Sequence, residues 1–214
     1  VAEAFAGSGA RLALVDINGQ RLRELYGEDT ADRRLYATDI TDAQAVAALV
    51  GQVVDQFGGL QVLANIAGGF AMGPLVQDTD TATWERMMDL NARSVFNLSR
   101  AAIPHMLEGG WGRVVNVSAR AVERGKGKMG PYCASKAAVR TLTESMAAEN
   151  WHTPVNVNCI LPGTIDTPQN RADMPDADHA KWVPTADLAE VVLFLASDAA
   201  RAVNGAAVPV YGQS

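Results

Sequence analysis

Val114-Val115-Asn116-Val117-Ser118 is followed by a basic, glycine-rich loop over 119–130 and then by Gly130-Pro131-Tyr132-Cys133-Ala134-Ser135-Lys136-Ala137-Ala138-Val139. The first run is short, apolar and β-branched, which is the pattern of a strand covered on both faces. The second opens with proline and carries a helical pattern to about residue 149. One buried strand feeding one helix is the repeating unit of a parallel sheet. It also brings a tyrosine and a lysine four residues apart, one turn of helix, onto the same face.

The unit recurs in both directions along the chain. Toward the N-terminus, Ala2–Ala6 reads as the end of a helix, Arg11–Asp16 as a strand after the Gly7-Ser8-Gly9 turn, residues 19–27 as a helix and Leu35–Thr38 as a strand. Thr41 is expected to cap a helix that runs through Val46, Leu49, Val50, Val53 and Val54 to Phe57 and stops at Gly58-Gly59. Val62–Asn65 is a strand, 69–79 a loop, and 81–107 a long helix ended by Gly109-Gly110. Toward the C-terminus, Val155–Leu161 is a strand stopped by Pro162-Gly163, and 164–184 a polar, proline-bearing stretch. Thr185 is expected to cap a helix through Leu195, with a last strand over Ala207–Val210. Strands alternating with amphipathic helices predict an α/β fold, a doubly wound parallel sheet of Rossmann type, in one domain over 1–214. In such sheets ligands bind beyond the carboxyl ends of the strands, where Asp16, Asp39, Asn65 and Ser118 fall.

Composition narrows the function. A net charge of −6, with no lysine- and arginine-rich block, argues against a nucleic-acid partner. No apolar run is long enough to span a membrane. Cys133 and Cys159 lack metal-ligand spacing, and His105, His152 and His179 are scattered, so no metal is expected. A cytoplasmic setting fits this cysteine usage.

A free phenol, with a pKa of about 10, is a poor proton shuttle near neutrality. Bringing it to about 7 takes roughly 4 kcal/mol of preference for the phenolate, which a close buried ammonium can supply. Tyr132 and Lys136 could form such a site, or the tyrosine could simply pack along the lysine stem.

In the company of other motifs the pair resembles the short-chain dehydrogenases/reductases, over nearly the whole chain. Tyr132 and Lys136 match that family's Tyr-x-x-x-Lys. Asn65-Ile66-Ala67-Gly68 matches its Asn-Asn-Ala-Gly, with Ile66 in place of the second asparagine. Asn91 matches its helical asparagine, Asp39-Ile40 its acidic strand end, and Pro162-Gly163 with Thr167 its Pro-Gly-x-x-x-Thr. The resemblance implies a hydride-transferring enzyme with Tyr132 as general acid/base, Lys136 lowering its pKa and holding the nicotinamide ribose, and Asn91 placing a water in a proton relay. It implies further that Asn65, Ala67 and Gly68 border the cofactor near its adenosine side, together with Asp39 and Ile40. Pro162, Gly163, Ile165 and Thr167 would hold the nicotinamide end. Read singly, Asn91 could be a helix-kink residue and Gly68-Gly69 an ordinary turn. Asp16, with Ile17 beside it, ends a strand where a carboxylate can accept from both adenosine ribose hydroxyls and repel a 2′-phosphate, which predicts NAD over NADP.

Two departures from the family pattern stand out. The glycine-rich phosphate loop that should precede the first helix is absent, and the chain starts at Val1 without an initiator methionine. The expectation is an N-terminally incomplete chain whose sheet has a gap in its middle. The family's catalytic serine lies thirteen positions before the tyrosine, and that position is Ala119; Ser118 is one short and should point to the other face of its strand.

Ala119 also agrees with a narrower resemblance, to dihydropteridine reductases. Asn65–Ala71, Gly130-Pro131-Tyr132, the segment Asp166–Asp178 and Trp182 carry it. The leading expectation is an NAD(H)-dependent oxidoreductase acting on a small carbonyl, alcohol or imine-like substrate. The alternatives are quinonoid dihydropteridine reduction and a catalytically silent dinucleotide-binding scaffold. Val95, Phe96, Leu142 and Met146 are either core or, as the family implies, part of a homodimer or homotetramer interface.

Overall fold

A computed structural model describes residues 1–213. Helix α1 (Ala2–Gly7) leads into strand β1 (Leu12–Asp16), α2 (Gly19–Tyr26), β2 (Arg33–Ala37), α3 (Ala43–Phe57) and β3 (Val62–Asn65). Helix α4 (Thr81–Met87) continues through a π-helical segment, Met88–Arg93, into α5 (Ser94–Glu108). Then come β4 (Gly112–Val117), α6 (Gly130–Glu149), β5 (Val155–Pro162), the short β6 (Ile165–Asp166), α7 (Pro168–Asp173), the short β7 (Val183–Pro184), α8 (Thr185–Leu195) and β8 (Ala207–Val210).

All strand pairs are parallel, as the crossover pattern predicts. Four strands run in the order β3-β4-β5-β8, and β1-β2 form a separate pair. Among the described residues no strand joins β1 to β3, so the sheet is broken at that point. Helices hold the two parts together. On one face α3 packs Leu49, Val53 and Phe57 against Ala13 and Val15 of β1 and Leu98 of α5. On the other, Val1 and Phe5 share a cluster with Val62 and Ala64 of β3 and with Leu188, Val192 and Leu195 of α8.

Alternation across the pleat fills both layers. Val114 and Val157, directly paired, face Ala102 and Met106 of α5 and Ala147 of α6. Their neighbours Val115 and Ile160 face α8. Strands β4 and β5 are therefore buried almost throughout, whereas β1 and most of β3 are only half-buried.

Several boundaries differ from the sequence reading for local reasons. Strand β2 begins at Arg33, not Leu35, because its partner β1 supplies register from Leu12 onward. Asp42, not Thr41, caps α3, accepting from the backbone of Gln44 and Ala45, while the Thr41 hydroxyl is spent on Asp39. Thr185 is the first residue of α8 and caps nothing; Pro184 precedes it in extended backbone. Strand β5 runs on through Pro162, which pairs with Val210. The helix expected over 81–107 contains the π-helical segment at Asn91, which period alone does not reveal. Val95 lies in the core at 2% exposure, so it is not part of an outer apolar face, while Phe96 stays 46% exposed.

Candidate active site

The π-helical turn exists where Asn91 turns its amide inward instead of toward solvent. Asn91 is fully buried. Its Oδ1 accepts from Gly69 N–H at 2.9 Å and its Nδ2 donates to Gly69 O at 3.0 Å, a two-point grip on the backbone of the loop after β3. The same Nδ2 donates to Ser135 Oγ at 2.9 Å, and that hydroxyl donates to the Tyr132 carbonyl at 2.9 Å. π-Helical turns recur at functional sites because they redirect one side chain without breaking the helix. Here the redirected side chain joins three elements: the loop after β3, the helix itself and α6.

Lys136 lies on the inner face of α6, 5% exposed, with Nζ donating to Val117 O at 2.8 Å. Gly68 is required beside it. A Cβ there would sit 2.8 Å from Asn91 Oδ1 and 2.9 Å from Lys136 Nζ. Gly69 is likewise pressed against Leu90 and Met87. The Gly68-Gly69 pair is thus a close-approach element in addition to a turn.

The electrostatics differ from the sequence expectation. Burial pushes the Lys136 ammonium down to about 8. Burial, and secondarily the neighbouring Cys133 thiol, pushes the Tyr132 phenol up to about 12. No lowering by Lys136 offsets this; its ammonium is held at the Val117 carbonyl. The protein's own residues hold a protonated phenol ready to donate.

Ser118 does not replace the missing serine. Its hydroxyl donates to Lys136 O at 2.7 Å and is 2% exposed, tying the end of β4 to α6. Ala119 follows in extended backbone and offers no hydroxyl.

The other residues line up at the carboxyl ends of the strands. Asp16 closes β1, and its Oδ1 accepts from Asn18 N at 2.8 Å; its other oxygen has no hydrogen bond among the described residues, and Ile17 beside it is 71% exposed. Asp39 Oδ1 is occupied by the Thr41 hydroxyl and backbone N–H, which hold its carboxyl below the usual range. Asn97 grips Ile40 O at 3.2 Å and Thr41 O at 3.0 Å. Asn65 is buried; its Nδ2 donates to Asn116 Oδ1 at 2.7 Å, and Asn116 donates to Thr143. The Asn65 Oδ1 has no partner. Ala67 is exposed at the mouth. Gly163 N–H bonds to Val210 O, Ile165 starts β6, and Thr167 caps α7 through Asn170 N. Asn91, Gly68, Tyr132 and Lys136 are brought together, while Asp16, Asp39 and Ile40 lie on the β1-β2 side of the break.

Three participants were missed from sequence. Ser135 sits one turn after Tyr132, and that spacing could have placed it on the same side as Asn91. The Val117 carbonyl carries no side-chain signal. Phe70 lies edge-on to the Tyr132 ring, centroids 4.9 Å apart at 77°, which no periodicity announces. A groove of about 370 Å³, lined by Val76, Thr79, Asp80, Thr81, Trp84, Gly130 and Pro131, adjoins the site through the two residues before Tyr132.

Comparison with known proteins places the chain in a family. Residues 1–212 match the family model described as enoyl-(acyl carrier protein) reductase. The chain is 31% identical over 222 residues to 2,5-dichloro-2,5-cyclohexadiene-1,4-diol dehydrogenase LinX of Sphingobium indicum, covering 99% of this chain and 88% of that protein. It is 33% identical over 224 residues to D-threitol dehydrogenase of Mycolicibacterium smegmatis, covering 99% and 86%. A solved structure described as ElxO with NADP bound superposes with a TM-score of 0.90 at 24% identity, over 99% of this chain and 91% of that one, which supports the fold. The chain belongs to the short-chain dehydrogenase/reductase family of oxidoreductases.

Proposed function

We propose that this domain, over 1–214, uses Tyr132 as the general acid/base in hydride transfer between a nicotinamide dinucleotide and a small carbonyl, alcohol or imine-like substrate. The observation that carries the reading is the buried cluster in which Lys136 and Asn91 meet over Gly68, with Asn91 tied through Ser135 to the Tyr132 backbone carbonyl. The residues present fit a dinucleotide. Gly68 leaves a gap that any side chain would fill, Asn65 Oδ1 is buried without a partner, and the Asp16 carboxylate keeps one oxygen for a hydroxyl pair. When bound, the dinucleotide supplies or accepts the hydride.

Asn65, Ala67 and Gly68 would border the cofactor, Asp16 with Ile17 would take its adenosine ribose, and Asp39 with Ile40 the adenine side. Pro162, Gly163, Ile165 and Thr167 would hold the nicotinamide end. Tyr132 holds the proton on its phenol oxygen and passes it to the substrate oxygen or nitrogen. Lys136, whose ammonium lies beside Gly68 and the Val117 carbonyl, would orient the ribose. Asn91 has both amide groups engaged, so any water it places in a relay is held by its backbone carbonyl.

NAD is favoured by Asp16: among the described residues no salt bridge neutralises its carboxylate, and an unpaired carboxylate repels a 2′-phosphate. The ElxO structure with NADP bound is the reason to test this directly. Quinonoid dihydropterin is a second reading. Ala119 supports it, since protonation of an imine-like nitrogen needs a phenol but no serine clamp on a carbonyl oxygen. A homo-oligomer in the cytoplasm completes the proposal, with Phe96 and the half-buried Leu142 on the candidate contact face.

The test is turnover with NADH and NADPH against ketones, secondary alcohols and quinonoid dihydropterin. Faster reaction with NADH and turnover of at least one substrate class support the proposal. No turnover in any combination overturns it, an NADPH preference refutes the Asp16 argument, and turnover of ketones but not pterin removes the second reading.

A further inference from the structure

Phe70 contributes to none of the roles above, yet it is the side chain in ring contact with Tyr132. It is 59% exposed, and it stands in a run with exposed Met72, Leu75 and Val76, so the apolar surface here is contiguous. Its placement is fixed from below. Asn91 holds Gly69 at both N–H and C=O, which sets the backbone from which Phe70 projects. Further along the loop, Gly73 N–H donates to Lys128 O at 3.0 Å and pins it to the segment before α6. Phe70 is therefore an exposed ring on a held backbone. The loop around it is apolar, with no charged residue from Ile66 to Gln77, and Met72, Leu75 and Val76 are exposed beyond it.

On the opposite side of the chemistry, the chain offers no side-chain hydroxyl from β4: Ala119 has none and the Ser118 hydroxyl is spent on Lys136 O. A substrate oriented by hydrogen bonds would find no side-chain partner there. A flat, unsaturated or aryl substrate could instead be oriented by ring contact.

We propose that Phe70 is the specificity-determining wall of the site, selecting substrates with a planar ring next to the reacting carbon or nitrogen. This rests on Tyr132 being the proton-transfer residue, because the wall is defined by its contact with that ring. The two rings meet in a T-shaped contact, and the 59% of Phe70 left exposed is the apolar surface against which a substrate ring beside Tyr132 would pack.

The experiment measures binding of acetophenone and of 2-butanone by ligand-observed NMR titration, on wild type, Phe70→Ala, Phe70→Leu and Phe70→Tyr. The expected result is tighter binding of acetophenone by wild type, weakened about tenfold in Phe70→Ala, not restored by Phe70→Leu and restored by Phe70→Tyr, with 2-butanone changing less than about threefold. Equal weakening of both probes, full restoration by leucine, or no wild-type preference for acetophenone would overturn the proposal. Tyr132→Phe separates the two ideas, since it keeps the ring pair. Retained binding preference with lost turnover supports both. Full turnover in that variant refutes the proton-transfer role and, with it, the basis of the wall, whereas loss of preference with lost turnover refutes the wall alone.

Discussion

The two sides of the sheet break are built differently. On the β3-β4-β5-β8 side, functional groups sit inside a buried hydrogen-bonded lattice, where Asn91, Ser135, Lys136 and Ser118 each have a fixed partner. On the β1-β2 side, Asp16 and Asp39 are held by short local turns within two residues of themselves. A buried polar group costs free energy unless it is satisfied, so the first side is pre-organised and intolerant of change. The second is half-exposed, so it adapts to a ligand at low cost. Proton transfer needs positions held to fractions of an ångström; recognition of an adenosine does not.

Breaking the lattice should cost most at Asn91. Asn91→Ala strands the Gly69 N–H and C=O and removes the donor to the Ser135 hydroxyl, and about 3 kcal/mol of stability should be lost in urea unfolding. The Lys136→Met variant should go the other way. Folded Lys136 has its ammonium pushed down to about 8 against an ordinary value of 10.5, so at pH 7 charging it opposes folding by about 3 kcal/mol. Between pH 8 and 10.5 the unfolded chain binds that proton and the folded chain does not, so wild-type stability rises with pH. The variant should be more stable near neutrality, with its advantage fading by pH 10.5 and activity lost throughout. A flat difference with pH would break the account. Gly68→Ala should cost about 2 kcal/mol, because the displaced atoms belong to Asn91 and Lys136. Smallest on stability is Asp16→Ala, expected within about 0.5 kcal/mol while shifting the NADH-to-NADPH preference toward NADPH by about tenfold. A large loss of stability there would erase the contrast between the two sides.

The same contrast explains what the sequence made legible. Continuous apolar runs such as Val114–Val117 and Val155–Leu161 specify strands covered on both faces, and they lie at the centre of the sheet. The four-residue spacing of Tyr132 and Lys136 encodes one helix, and both lie on α6, whereas Asn91 was expected only from the resemblance to the family. The sequence also foresaw the break between β1 and β3, since a strand expected in mid-sheet has no run to form it. Three features were not readable. The π-helical turn depends on a long-range partner, Gly69, that leaves no local trace. Ser118 was expected to point away from the site, but its tie to the Lys136 carbonyl, a backbone partner on another element, left no trace in the sequence. Burial moved the phenol up and the ammonium down, opposite to the expected lowering of the phenol, because desolvation depends on packing that spacing does not encode.

The most direct measurement is turnover by Tyr132→Phe beside wild type, with cofactor affinity determined for both. Removal of the phenol hydroxyl should lower kcat by about a thousandfold and leave cofactor affinity within a few fold, since general acid–base groups contribute about 10²–10⁴ in rate. Equal turnover by the two proteins would contradict the assignment of Tyr132 as the proton-transfer residue.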